Sequence, residues 1–175
     1  MPHLNVEIKA RCANPELIHQ KLKAYEARYI GLDHQVDTYF RVANGRLKLR
    51  QGSIEQNLIH YHRSDQAGPK ASDVQLYKPG PESEHLKEAL RRALGVLVVV
   101  DKQRHIYFVE NVKFHVDVVQ GLGSFVEIEA IDKNGDLGQA HLQQQCDYYI
   151  QHLGIVPEDL ISVSYSDLIM AQDSA

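Results

Sequence analysis

Between residues 5 and 11 the chain alternates Val6, Ile8 and Ala10 with Asn5, Glu7, Lys9 and Arg11. Successive side chains of a strand point to opposite faces, so this period of two predicts a first strand with one buried side. The period then changes. Asn14 offers a helix cap and Pro15 a first helical residue, and Leu17, Ile18, Leu22 and Tyr25 recur on one helical face, which predicts a helix running to about Arg28. Strands are predicted at 35–42 and 46–51, joined by Ala43-Asn44-Gly45, where Asn-Gly would supply the positive-φ residues of a tight hairpin. A third antiparallel strand follows at 58–63, then a polar loop at 64–71 and a short strand at 74–78 stopped by Pro79-Gly80-Pro81.

A second helix starts near Ser83, carries Leu86, Leu90, Ala93 and Leu94 on one side and ends at Gly95. Residues 96–100 and 104–109 form two strands or one long bent strand. Turns at Glu110-Asn111 and Gly121-Leu122-Gly123 connect strands at 114–119 and 125–131 into a β-meander. Asn134-Gly135-Asp136 precedes a helix whose apolar face is Leu142, Cys146, Tyr149, Ile150 and Leu153, closed by Gly154, and a short helix is expected over 164–170. Strands occur in runs with a few helices between them, without repeats or long linkers, so the class is α+β and residues 1–175 are expected to form one domain.

Composition narrows the function. The longest apolar run, 96–100 after Ala93-Leu94, is far too short to span a bilayer. The start Met1-Pro2-His3-Leu4 lacks the basic and apolar segments of a secretory signal, so a cytoplasmic location is expected, with no membrane partner. A net charge of −4 argues against extended nucleic-acid binding, though a confined basic pocket remains compatible with it. Cys12 and Cys146 lie far apart in no ligand-like spacing and read as reduced, structural residues. His60 and His62 share a strand face but belong to no spaced metal motif, and nothing nominates a nucleophile for a triad. Gly121-Leu122-Gly123 is followed by no helix and reads as a turn rather than a phosphate cradle.

The charges sort by strand face. Glu7, Lys9 and Arg11 share one side, as do Arg46, Lys48 and Arg50; Lys102 and Arg104 are two apart; Asp117 lies opposite Val116 and Val118; Glu127 and Glu129 lie opposite Val126, Ile128 and Ala130. For any one strand a wet sheet face explains this. Together, basic residues in the middle strands and acids in the first and last suit a triphosphate with a hard divalent cation, provided the sheet closes so that these faces converge. Asp37, Tyr39 and Arg41 share a face as well, and could enter such a tunnel or make cross-strand pairs.

Asn5-Val6-Glu7-Ile8-Lys9, Leu47-Lys48-Leu49-Arg50, Lys102-Gln103-Arg104, Val116-Asp117 and Gly121-Leu122-Gly123 leading to Glu127-Ile128-Glu129 together resemble the CYTH superfamily, the triphosphate tunnel metalloenzymes. Within it, residues 101–109 and 121–125 are most similar to bacterial class IV adenylyl cyclases, while thiamine and inorganic triphosphatases share much of the pattern. The resemblance implies a closed eight-stranded antiparallel β-barrel with helices outside. It implies basic wall positions at Lys9, Lys48, Arg50, Lys102 and Arg104, metal-site acids at Glu7, Glu127 and Glu129, and an acidic wall position at Asp117. Arg63 and Lys78 are further candidate phosphate contacts, with Lys70 a substitute for either. Lys9, Lys102, Arg104 and Asp117 are the expected catalytic set.

One position departs from the family pattern. The opening motif is Glu-x-Glu-x-Lys, and Asn5 stands where its first glutamate would be, offering an amide oxygen without charge. The leading expectation is an adenylyl cyclase using Mg²⁺, or Mn²⁺, to convert ATP to cyclic AMP and pyrophosphate. A triphosphatase acting on a nucleoside, thiamine or inorganic triphosphate is the first alternative, and a non-catalytic nucleotide or polyphosphate binder the second. The resemblance to class IV cyclases also suggests a homodimer.

Overall fold

The computed structural model describes residues 3–63 and 65–175; Met1, Pro2, Ser64 and the Arg63 side chain lie outside the described residues. Eight strands close into an antiparallel barrel in the order β1-β5-β4-β3-β2-β6-β7-β8, with β8 pairing back onto β1. They are β1 (His3–Arg11), β2 (Arg28–Phe40), β3 (Arg46–Gly52), β4 (Gln56–Arg63), β5 (Lys70–Tyr77), β6 (Val96–Val109), β7 (Val112–Val119) and β8 (Gly123–Asp132). Helices α1 (Pro15–Ala24), α2 (Ser83–Leu94), α3 (Gln139–Leu153) and α4 (Tyr165–Asp173) complete the chain, confirming the α+β class. Two meanders, β2 to β5 and β6 to β8, are sewn together by β1 on one side and by the long β2–β6 pairing on the other. No helix among the described residues is long and apolar enough to cross a membrane.

The apolar strand faces point outward where helices cover them. Val6, Ile8 and Ala10 of β1, Phe114 and Val116 of β7, and Val126 and Ile128 of β8 pack with Ile18 and Leu22 of α1 and Leu142, Cys146 and Leu153 of α3. By period two the charged faces of these strands must then point into the barrel. A second cluster forms inside one barrel end, where Tyr165 at the start of α4 meets Phe125, Val100 and Tyr39. Asp132 helps to place α3: its carboxylate accepts the N–H groups of Gly135, Asp136, Leu137 and Gly138 in the loop that leads into the helix.

Several boundaries differ from expectation for identifiable reasons. The first helix ends at Ala24 rather than near Arg28, because Glu26 turns the chain at φ 55° and β2 begins at Arg28. That strand is longer than predicted, since its inner face carries buried Asp33, Gln35 and Asp37 while its outer face exposes Tyr29 and Leu32. The 40–46 connection is wider than a two-residue hairpin, and of Asn44 and Gly45 only Gly45 takes a positive φ, 64°. A side chain on Gly45 would also meet the Tyr61 carbonyl oxygen at 2.7 Å. β5 starts at Lys70 inside the predicted loop, because Lys70 and Ser72 pair with Glu7 and Asn5 of β1. Residues 96–109 are one strand.

Candidate active site

The inner faces enclose a cavity of about 140 Å³. Lys9, Lys48, Arg50, Lys102 and Arg104 line it, as do Glu7, Glu127 and Glu129, so the barrel brings together eight of the expected site residues. Asp117 does not line the cavity. It lies behind Arg104, fully buried, and takes the guanidinium on both oxygens, from Nε at 2.8 Å and Nη2 at 2.6 Å. Lys78 does not line it either: β5 ends at Tyr77 and Lys78 is exposed beyond it. Lys70 is buried opposite Glu7 and donates to the Ser162 carbonyl at 2.7 Å. Of the face that could have gone either way, Asp37 and Tyr39 turn inward, whereas Arg41 follows the end of β2 and lies in an outer cleft.

At the α4 end the wall is basic and organised by one carboxylate. Asp37 accepts from Arg50 Nε and Nη2 at 2.9 Å each and from Lys102 Nζ at 2.9 Å, with Lys48 Nζ at 3.3 Å. Burial alone would raise Asp37, but Arg50, Lys102 and Lys48 outweigh it and hold the carboxyl well below its ordinary range. Lys102 is the strained partner: burial pushes its ammonium down, Arg104, Arg50 and Lys48 add repulsion, and Asp37 opposes them. Tyr165 plugs this end, donating to Asp117 Oδ2 at 2.7 Å with the Lys9 ammonium 3.9 Å from its ring centroid. Its helix is fastened by Arg46, which donates to Ser164 Oγ at 2.6 Å and pairs with Asp167 at 2.9 Å.

The other end gathers acids. Glu7 faces Glu129 directly across β1 and β8, and the Asn5 amide nitrogen donates to Glu129 Oε1. In this orientation the Asn5 Oδ1 is buried and has no hydrogen-bond partner among the described residues. Burial raises Glu129 to about 7; Lys113 opposes this, while Glu7, Glu127 and Glu55 add to it. Glu127 is engaged by nitrogen: Lys9 at 3.4 Å, Arg104 at 3.1 Å and His115 Nδ1 at 2.9 Å. Burial, followed by Arg104, pulls His115 down to about 4 against the hydrogen bond to Glu127. Glu55 reaches this region from the β3–β4 tip and pairs with Lys113.

Sequence reasoning missed Glu55, Lys113, His115 and Tyr165. Lys113 and His115 carry the same inward parity as Asp117 and could have been found by it. Glu55 has no strand parity. It is placed by Asp33, whose carboxylate accepts from Ser53 Oγ, Ile54 N and Glu55 N at 2.9 Å each. The tip closes so tightly that a Cβ on Gly52 would lie 2.7 Å from Asp33 Oδ1.

Among the described residues no three His, Cys, Asp or Glu side chains are drawn together into a ready metal cage. The donors nevertheless fit a hard divalent cation: Glu7, Glu129 and Asn5 Oδ1 are all oxygens, and burial with the neighbouring Glu7, Glu127 and Glu55 holds Glu129 raised.

A closed tunnel with basic residues at one end and crowded carboxylates at the other is the architecture of the triphosphate tunnel proteins. A family model described as the CYTH domain matches residues 3–161, and the chain belongs to that metal-dependent family. No curated protein sequence matches it. Among solved structures, PH1012 from Pyrococcus horikoshii OT3 superposes with a TM-score of 0.79 at 24% identity, covering 94% of this chain and 98% of that one. A candidate adenylate cyclase from Vibrio parahaemolyticus gives 0.74 at 17% identity, covering 95% and 98%. A candidate adenylyl cyclase from Hippeastrum, described as having a dominant triphosphatase activity, gives 0.62 at 14%, covering 97% and 96%. At these identities the likeness speaks for the fold.

Proposed function

We propose that this chain is a divalent-cation-dependent enzyme that holds a triphosphate chain in the tunnel and breaks one of its phosphorus–oxygen bonds. The observation that carries this reading is the opposite imbalance of the two ends. Burial pushes Lys102 down and Glu129 up, and like charges add to it at each end: Arg104, Arg50 and Lys48 around the lysine, and Glu7, Glu127 and Glu55 around the glutamate. A polyanion relieves the first and a cation the second, and a metal triphosphate supplies both.

Lys9, Lys48, Arg50, Lys102 and Arg104 would bind the phosphate oxygens, with Asp37 and Asp117 holding the arginines in place. Donors already aimed where charge develops need no reorganisation as the bond breaks, which is the main contribution such a wall can make. Glu7, Glu129 and Asn5 Oδ1 would hold the divalent cation, which when bound would neutralise phosphate charge. Glu127, committed to Lys9, Arg104 and His115, stays outside that donor set. No protein nucleophile is needed, since the attacking oxygen belongs to substrate or water.

The finer reading is an adenylyl cyclase, in which the 3′-hydroxyl of ATP attacks the α-phosphorus and pyrophosphate leaves. It is supported by the motif resemblance at residues 101–109 and 121–125 and by the likeness to the Vibrio candidate cyclase. Hydrolysis is the second reading, favoured by the likeness to the Hippeastrum protein described as having a dominant triphosphatase activity. The purified protein should be incubated with ATP, other nucleoside triphosphates, thiamine triphosphate and inorganic tripolyphosphate in Mg²⁺ or Mn²⁺, and every product identified. Cyclic AMP with pyrophosphate supports cyclisation; orthophosphate with a diphosphate supports hydrolysis. Tight binding with no turnover under any condition overturns both.

A further inference from the structure

The phosphate-facing wall is built from donors: the lysines and arginines that line it have no lone pair to offer. His115 is different. Its Nδ1 lies 2.9 Å from Glu127 Oε2, and because a carboxylate accepts, the ring hydrogen must sit on Nδ1. Glu127 is braced in turn by Lys9 at 3.4 Å and Arg104 at 3.1 Å, which fixes the plane of the ring. With that single ring hydrogen on Nδ1, Nε2 is a bare acceptor. His115 is 2% exposed and lines the cavity, and its Nε2 has no hydrogen-bond partner among the described residues. A phosphate oxygen cannot satisfy that nitrogen, because lone pair would face lone pair. An O–H group can.

We propose that His115 Nε2 is the docking point for the O–H group that attacks the phosphate chain, so that one ring places the nucleophile while the surrounding cations place the phosphates. The inference rests on the reading of the tunnel as a triphosphate-processing site. The hydroxyl has two sources, a water molecule or a hydroxyl of the substrate itself, and the same acceptor serves either. His115 is on this account a catalytic residue, and Glu127 is a positioning residue that acts through it.

The test compares wild type with His115→Phe, which keeps a ring and loses the acceptor, and His115→Gln, which returns an amide oxygen near the Nε2 position. Turnover of the best triphosphate substrate, affinity for inorganic tripolyphosphate by calorimetry and thermal unfolding are measured on each. The Phe variant should lose about 10²-fold in kcat, the scale of a misplaced reacting group, with tripolyphosphate affinity unchanged. The Gln variant should recover part of that loss. Turnover in ¹⁸O-water separates the two sources: label in the released phosphate identifies water, and an unlabelled cyclic product with pyrophosphate identifies a substrate hydroxyl. An unchanged kcat in His115→Phe overturns the proposal, as does a fall in tripolyphosphate affinity matching the fall in kcat. If the Phe variant does not unfold cooperatively, His115→Gln decides, with the loss expected in kcat alone. A wild type that turns over no triphosphate sinks the reading of the tunnel; an active wild type with an equally active Phe variant sinks only the role of His115.

Discussion

At the Tyr165 end of the tunnel a single carboxylate, Asp37, serves Arg50, Lys102 and Lys48, whereas at the other end Glu7, Glu127 and Glu129 crowd together with Lys113 opposing them. Both groups are buried in the same barrel, yet their protonation is pushed in opposite senses, Lys102 down and Glu129 up. Burial disfavours the charged form in both places, which lowers an ammonium and raises a carboxyl, and the like-charged neighbours at each end add to that push. What separates the ends is how far the chain has neutralised itself. The basic end keeps an internal anion that fixes its geometry; at the acidic end Lys9 and Arg104 meet Glu127, while Glu129, opposed by Lys113, stays raised.

The largest effect should come from removing that internal anion. Asp37→Asn leaves three buried cations without their carboxylate, and breaking a buried pair from one side costs about 3–5 kcal/mol. Denaturant unfolding should show the loss, and saturating tripolyphosphate should restore much of it by standing in for the carboxylate. The pH dependence follows from the same pairing. The folded Asp37 carboxyl lies well below its ordinary value of 3.8, so its stabilisation is present above that value and is lost as pH falls through the folded one. Wild type should therefore weaken on acidification below about pH 4, and the Asn variant should lose less over the same window. Equal stability of the two proteins at neutral pH would break the comparison at its first term.

Lys102→Met should separate stability from activity. The methionine fills the stem volume and removes the ammonium that burial and the surrounding cations push down, while Arg50 and Lys48 remain on Asp37. Folding should be unharmed or improved, whereas turnover of a triphosphate should fall about 10²-fold or more, as for other preorganised charge sites. Steady-state kinetics beside denaturant unfolding checks both halves. A variant that keeps full turnover would remove Lys102 from the phosphate wall.

Much of this division could be read in the chain before the barrel was seen, and the failures have physical causes. Lys9, Lys48, Arg50, Lys102, Arg104, Glu7, Glu127 and Glu129 fall on regular strands, where period two reports the face directly. The start of β2 could not be read that way, because a charged tunnel inverts the usual rule and buries Asp33, Gln35 and Asp37 while exposing Leu32. Lys78 looked equivalent to the inward residues of β5, but the strand stops one residue earlier. Glu55 and Tyr165 lie outside strands and enter the tunnel only because Asp33 folds a hairpin tip and Arg46 fastens α4. Contacts of that kind between distant residues leave no period to detect.

The smallest effect, and the one that bears most directly on the acidic end, is expected of Glu129→Gln. Glutamine keeps an oxygen to accept from the Asn5 amide and removes a charge that Glu7, Glu127 and Glu55 repel. In cation-free buffer the variant should therefore be as stable as wild type at neutral pH, or more stable, in contrast to Asp37→Asn. Its cost should appear only when a divalent cation is added. Losing one of the two carboxylates proposed to hold the ion should weaken Mn²⁺ binding by about tenfold or more in a calorimetric titration, because oxygen charge sets affinity for hard cations. If Glu129→Gln instead destabilises the cation-free protein as much as Asp37→Asn does, the acidic end is already neutralised from within. The two ends of the tunnel would then be alike, and the cation would have no electrostatic vacancy to fill.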